Sequence, residues 1–383
     1  MTNSNSFPRP RRDHRVDALR GAALAMMFVD HIPDNLLNRL TLRNLGFCDA
    51  AEIFVLLAGF ASMLAYGRAF AREGVGAALS KLGRRIGRLY VYHIGMLLVS
   101  IGVVTQWRHY YPVPVRFLEP ELAHGFASLW RAMLLYAQPA SLNILPLYIV
   151  LLGLFPLVYL TSRAGIGVAL ALSGALWALI NLYPQINLPN WFDPDGWFFD
   201  PFAWQFLFTL GAMAAITTQQ NGGDLPRHRW IVTAAWTYLG FSAMQAFPWS
   251  DWNLPNLAPF DIAPPQKTPL SPLRLIDVLS IFYLVQSSAR MSRAAASRGG
   301  QVLAVLGRHS LEVFAVGTTL DLLAQLLFVT WGNPWLLQIG INVVGLGGLL
   351  LLARWLDRRK SARRPAMVRH AAGHAPHHGA AAS

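Results

Sequence analysis

Two residues eleven positions apart, Arg20 and His31, stand inside the first apolar stretch of the chain, "DALRGAALAMMFVDHIP". Histidine is the side chain best suited to general base work near neutral pH, and arginine binds phosphates and carboxylates through paired hydrogen bonds. In an α-helix, eleven steps bring both side chains to within about 20° of one stripe, roughly 16 Å apart along the axis. Leu24 and Met27 lie between them on that stripe. A charged group inside an apolar span costs about 2.5–3.5 kcal/mol even on lenient scales, so each is a functional candidate. Snorkelling toward headgroups accounts for Arg20 equally well; His31, with Asp30 beside it, favours function.

Asp30 lies about 100° around the helix from His31 and does not readily reach its imidazole. A carboxylate to orient the ring is therefore expected from another segment. The stretch "CDAAEIFVLLAGF" offers Asp49 and Glu52, three apart on one helix face. Capping and the helix dipole account for both acids as well. Glu52 is the better functional candidate and Asp49 the better cap. In "NILPLYIV", Asn143 and Tyr148 are candidates to bind an acceptor, and so are Trp197, Asp200, Trp204 and Gln205 in "GWFFDPFAWQFLF". These polar residues serve equally to satisfy backbone groups freed by Pro146, and Asp200-Pro201 also reads as a helix start.

A second, basic set consists of Arg84, Arg85 and Arg88 in "KLGRRIGR", Arg308 and His309 in "LGRHSLEVF", and Arg20. Such a cluster can hold the phosphates of a nucleotide-bearing donor; membrane anchoring has at least an equal claim. Arg274 and Asp277, three apart, are expected to pair. No GxSxG, Walker, HExxH or CxxC pattern occurs, so soluble hydrolase, nucleotide and zinc chemistries lack support and no metal is expected.

These residues must be positioned by elements suited to lipid. Of 383 residues, 54% are hydrophobic and 13% charged, about half the charge of a soluble domain. The net charge of +13 comes from short basic clusters between apolar segments, which argues against a nucleic-acid partner. The single cysteine, Cys48, excludes an internal disulfide. Segments of about 20 apolar residues fall near 17–33, 48–69, 86–107, 142–161, 165–183, 200–217, 230–248, 271–289, 303–329 and 335–356. The sequence thus predicts an all-α polytopic membrane protein, a bundle of about ten transmembrane helices. With both termini cytoplasmic, 23 basic residues fall inside and seven outside, setting aside Arg20 and Arg308, as the positive-inside rule requires. The first span is read as retained, since Arg20 interrupts it and no small-residue cleavage site follows.

Residues 1–15 are expected to form a basic cytoplasmic arm, 16–357 the transmembrane domain, and 358–383 a disordered basic, His-rich tail. The outer loops 108–140, 184–199 and 249–270 are rich in Trp, Tyr, Pro and Asp. Such rings suit either a membrane interface or stacking on sugars. Segment 121–137 is expected to be an amphipathic surface helix or a further span.

Taken together, the chain resembles the membrane-bound acyltransferases of the acyltransferase-3 superfamily, whose first span carries a basic residue, ten others and a histidine. It is most similar to the OpgC family, through "RVDALRGAALAMMFVDHIP", "GFCDAAEIFVLLAGF", "NILPLYIVLLGLFP", "WFFDPFAWQFLFTLGA", "QKTPLSPLRLIDVLSIFYL" and "LGRHSLEVFAVG", in family order. Three positions depart from the family pattern: Cys48 replaces a small hydroxyl residue, Asp200 an Asn and Asp277 a His. The resemblance implies an enzyme of the bacterial inner membrane with no permanently bound cofactor. Its donor would be cytoplasmic succinyl-CoA and its acceptor the glucose hydroxyls of periplasmic glucans. His31 would be the general base, and the acyl arm would follow the Arg20–Leu24–Met27–His31 stripe. An O-acetyltransferase of another extracytoplasmic glycan or lipid, or a transporter, are the alternatives to be weighed.

Overall fold

A computed structural model describes residues 13–113, 125–139 and 141–372. The expected basic arm up to residue 12, Arg116, the start of segment 121–137 and the tail from residue 373 lie outside the described residues. Among those described, all named elements are helical. Helix α1 covers His14–His31. Asp13 caps it by accepting from the Arg15 amide at 2.9 Å, and it ends at Ile32, held extended before Pro33. Helix α2, Ala50–Ser62, continues through a π-helical turn, Met63–Gly67, into Arg68–Arg72. There follow α3 Val75–Tyr110, α4 Phe126–Met133, α5 Ile144–Ala164 and α6 Ile166–Leu182. The second half holds α7 Pro201–Gln220, α8 Arg229–Ala246, α9 Pro272–Gln286 and α10 Ala289–Ala296. Helices α11 Arg298–Arg308, α12 Ser310–Trp331 and α13 Trp335–Ala372 complete it.

Nine of the ten expected spans each coincide with one helix and the ninth with two, and among the described residues five helices are long and apolar enough to cross a membrane: Ala50–Arg72, Val75–Tyr110, Ile144–Ala164, Ser310–Trp331 and Trp335–Ala362. The rest fall short of that standard in length or hydropathy. For α1 and α7 the reason is packing: both bury much of their surface against neighbouring helices and so need not present lipid-grade hydrocarbon all round. Two boundaries differ from expectation. The long ninth segment, 303–329, is broken at His309, where φ −114° and ψ 37° separate α11 from α12. The last helix also runs on past residue 357, to Ala372. In segment 121–137 the described helix is short, Phe126–Met133, and buries Ser128 and Ala132.

We call the end of the bundle where α1 begins the near face and the end toward which it runs the far face. Two glycine pairs set the central crossings. A Cβ on Gly21 would meet the Leu303 carbonyl oxygen at 1.9 Å, and one on Gly307 the Asp17 carbonyl oxygen at 1.9 Å, so α1 and α11 touch backbone to backbone. Gly59 and Gly211 do the same for α2 and α7, with 1.9 Å to the Phe208 oxygen and 2.0 Å to the Leu56 oxygen. Within lipid, where apolar side chains gain little by leaving hydrocarbon, such close backbone approach drives helix association. Arg15 locks the near end. Its buried guanidinium donates to the Gln286 carbonyl at 3.0 Å and the Gly223 carbonyl at 2.9 Å, and it pairs with Asp224 at 2.6 Å.

Candidate active site

Helix α1 delivers His31 at its last turn, where the side chain keeps about a third of its surface exposed. The neighbour that meets it is Asp321, in the middle of α12 and 3% exposed. Its Oδ2 lies 3.4 Å from His31 Nδ1, within the looser distances common before a substrate closes a site. One turn further along α12, Gln325 Nε2 donates to the His31 carbonyl at 3.1 Å. Residues four apart share a helix face, so α12 lies against the ring of His31 and hydrogen-bonds its backbone. The Nδ1–Asp321 contact is at ion-pair distance without a formed hydrogen bond, and a carboxylate facing Nδ1 is the neighbour that favours a proton on that nitrogen. The pair is sunk below the far rim. Helix α12 continues about 15 Å beyond Asp321, to where Trp107 Nε1 donates to Thr330 Oγ1 at 3.0 Å and packs edge-on against Trp331.

The other acids assigned to catalysis from sequence have different partners. The Asp30 carboxylate accepts from Thr41 Oγ1 at 2.5 Å and so ties the turn after α1. Asp49 and Glu52 form a capping box at the start of α2: Asp49 accepts from the Ala51 amide at 2.9 Å and the Asp49 amide donates to Glu52 at 2.9 Å. Their outer oxygens face two cations. Arg274 Nε donates to Glu52 at 2.6 Å and Nη2 to Asp49 at 3.2 Å, while Lys267 pairs with Asp49. Arg274 therefore does not pair with Asp277, as its spacing had suggested. Asp277 is instead buried, accepting from Ser242 Oγ at 2.6 Å and the Cys48 amide at 3.0 Å. Cys48 and Asp277 thus meet in space.

The acceptor set is mostly turned inward. Trp197, Asp200, Trp204, Gln205 and Asn143 are all buried. Trp204 Nε1 donates to the carbonyls of Lys267 and Thr268 at 3.2 and 3.1 Å. Gln205 Nε2 donates to the carbonyls of Ser173 and Phe202 at 2.9 and 3.1 Å, and Asp200 accepts from the Phe202 amide at 2.8 Å as the N-cap of α7. Trp204 thereby holds the segment carrying Lys267 rather than facing an acceptor. Tyr148 is half-buried, edge-on to Phe54, with the Arg85 guanidinium 6.0 Å from its ring.

Of the basic set, Arg20 lies where sequence placed it, near the start of α1, lining a near-face cavity of about 390 Å³ with Asp17, Phe60, Leu64 and Gln219. Its Nη2 donates to the Leu57 carbonyl at 3.1 Å. Leu24 and Met27 are 3% and 6% exposed, so the middle of the stripe from Arg20 to His31 is packed against neighbouring helices. Arg88 pairs with Glu312, Arg84 is exposed, and Arg308 and His309 share Asp357 at 3.4 and 3.3 Å. No cluster suited to a metal ion occurs among the described residues.

Asp321 is the residue sequence reasoning passed over. Its signal was present: a carboxylate at the centre of "SLEVFAVGTTLDLLAQLLFVTW", two turns past Glu312 at the helix start, a position where an unpaired charge is costly enough to need a partner. A family model described as OpgC protein matches residues 12–361, nearly the whole chain. No curated protein and no solved structure gives a significant match.

Proposed function

The chain belongs to the OpgC family, and on that premise we propose that it moves a succinyl group from succinyl-CoA to glucose hydroxyls of periplasmic glucans. The carrying observation is the His31–Asp321 pair at 3.4 Å. In this reading the near face is cytoplasmic, the far face periplasmic, ten helices span the inner membrane, and both termini are cytoplasmic. His31 Nε2 takes the proton of a sugar hydroxyl while Asp321 steadies the developing imidazolium through Nδ1–H. The hydroxyl oxygen bonds to the thioester carbonyl carbon, the carbon–sulfur bond breaks, and the imidazolium returns the proton to the departing thiolate. Arg84, Arg85 and Arg88 on α3 hold the donor's phosphates as charge-assisted partners. With the Arg20 stripe packed, the arm enters between helices on the side where Arg85 approaches Tyr148.

The test is mass spectrometry of periplasmic glucans from a deletion strain carrying either the wild-type chain or His31→Ala. The wild type is expected to restore a succinyl increment and the variant to leave the glucans unmodified. Full modification by the variant would remove His31 from the chemistry. An acetyl increment in place of the succinyl one would move the assignment to an O-acetyltransferase.

A further inference from the structure

We infer that a cleft in the near half of the bundle binds one phospholipid, with an acyl chain inside it and an anionic headgroup at its mouth. The site is separate from His31 and does not depend on the acyl-transfer reading above. The cleft holds about 560 Å³ and is walled by α6, α7, α8 and α9. At its floor is Leu56 on α2, 1% exposed, so the cleft passes the outer helices and reaches the centre of the bundle. Along α9 its wall runs from Ile276 to Tyr283, a rise of about 10 Å. One leaflet's hydrocarbon is about 15 Å deep, so much of an acyl chain fits within that height.

The lining suits hydrocarbon and little else. Of its four polar side chains, three are spent on backbone. Tyr238 donates to the Leu273 carbonyl at 2.7 Å, Tyr283 to the Pro226 carbonyl at 2.9 Å and Thr217 to the Met213 carbonyl at 3.1 Å. Ser280 is the fourth, too few to hold a nucleotide or a sugar. The mouth has a different character. Leu225 and Ile231 both line the cleft, and Tyr283 fastens the chain between them by accepting from the His228 amide at 2.9 Å. Within that short segment stand Arg227 and Arg229, both exposed. Among the described residues neither forms an ion pair, and Asp224, the acid closest in the chain, is taken by Arg15 at 2.6 Å. Trp230 between them is 87% exposed, an aromatic anchor of the kind that sits at headgroup level. Two unmatched cations at that level select an anionic lipid over a zwitterionic one; a bare apolar surface would take either.

Native mass spectrometry of the full-length protein in detergent tests this with dioleoyl phosphatidylglycerol and dioleoyl phosphatidylcholine. Wild type should retain one phosphatidylglycerol in preference to phosphatidylcholine. Arg227→Gln combined with Arg229→Gln should weaken phosphatidylglycerol binding by about 30-fold, the effect of two basic residues at an anionic surface, and leave phosphatidylcholine unchanged. Ala234→Trp, which puts an indole into the cleft from an exposed position on α8, should abolish tight binding of both lipids. The arginine variant alters exposed side chains only, so its result stands whether or not Ala234→Trp folds. Equal retention of the two lipids by wild type overturns the inference, as does a preference that survives loss of both arginines. Phosphatidylglycerol binding that survives Ala234→Trp overturns it as well, by marking a headgroup contact outside the cleft. A wild-type dimer free of lipid would assign the cleft to a second copy of the chain and overturn it too.

Discussion

In the proposed reaction the two ring nitrogens of His31 have different tasks, Nδ1 toward Asp321 and Nε2 toward the hydroxyl. Nδ1 faces a buried carboxylate 3.4 Å away, and the ring keeps a third of its surface open. Asp321→Asn tests this directly. An amide can donate to Nδ1, shifting the ring proton to Nε2 and removing the free lone pair needed for proton abstraction. The expected result is a fall in kcat of about 10²- to 10⁴-fold, the usual contribution of a general base, with KM for the acyl donor little changed. Asp321→Glu should regain part of the rate. Loss of folded protein in both variants, or a rise in KM alone, would show that the carboxylate only packs the helices. Sequence made His31 legible because a histidine at the end of an apolar span is conspicuous. It missed Asp321 because attention went to acids near helix ends, whose spacing placed them close to His31 in the chain. In space those acids are spent on one another's neighbours. Glu52 is fully buried and depends on Arg274 at 2.6 Å. Arg274→Ala should therefore cost about 3–5 kcal/mol, the penalty for leaving a buried charge unpaired. Thermal unfolding in detergent would register it as a clear drop in Tm, partly relieved by adding Glu52→Gln.

At the scale of elements, the positions of the helices were readable and their contacts were not. Apolar length marks a span wherever it falls in the fold, so the ten expected segments coincide with helices. Which helix meets which depends on where a side chain is missing, and several glycines carry equal weight in the sequence. The structure distinguishes them. Gly83, Gly87, Gly95 and Gly102 on α3 face open space, while Gly21, Gly59, Gly211 and Gly307 lie against backbone. Gly59→Val or Gly307→Val should thus prevent close packing of α2 on α7 or α1 on α11. Gly95→Val should be tolerated. The readout is the fraction of protein that remains monodisperse on size exclusion after mild heating. Comparable behaviour of all three variants would contradict the assigned crossings. The break at His309 was hidden for a related reason. Nothing in "LGRHSLEV" forbids a helix; the turn is made where His309 and Arg308 both reach Asp357 on α13, a contact between distant parts of the chain.

For the whole molecule, the proposed reaction requires a donor on one side and an acceptor on the other, so the orientation of the bundle is its most direct test. The argument for a cytoplasmic near face is electrostatic. Twenty-three basic residues fall on the segments assigned to that side and seven on the opposite side, and Lys and Arg near span ends are retained in the cytoplasm during insertion. The single cysteine makes the test clean, since Cys48 is buried and its replacement by Ser leaves no other thiol. On that background, Ser250→Cys introduces a thiol in the loop after α8 and Ala296→Cys one at the end of α10, both exposed positions. A membrane-impermeant maleimide added to intact spheroplasts should label the thiol at 250 and reach the one at 296 only after lysis. The opposite pattern would put Arg84, Arg85 and Arg88 outside, away from any acyl-CoA. It would place the far side of His31 in the cytoplasm, where no periplasmic sugar could meet it. Labelling of both positions in intact spheroplasts would mean that an even number of spans separates them, and so that α9, one of the five helices below the length and hydropathy standard, does not cross.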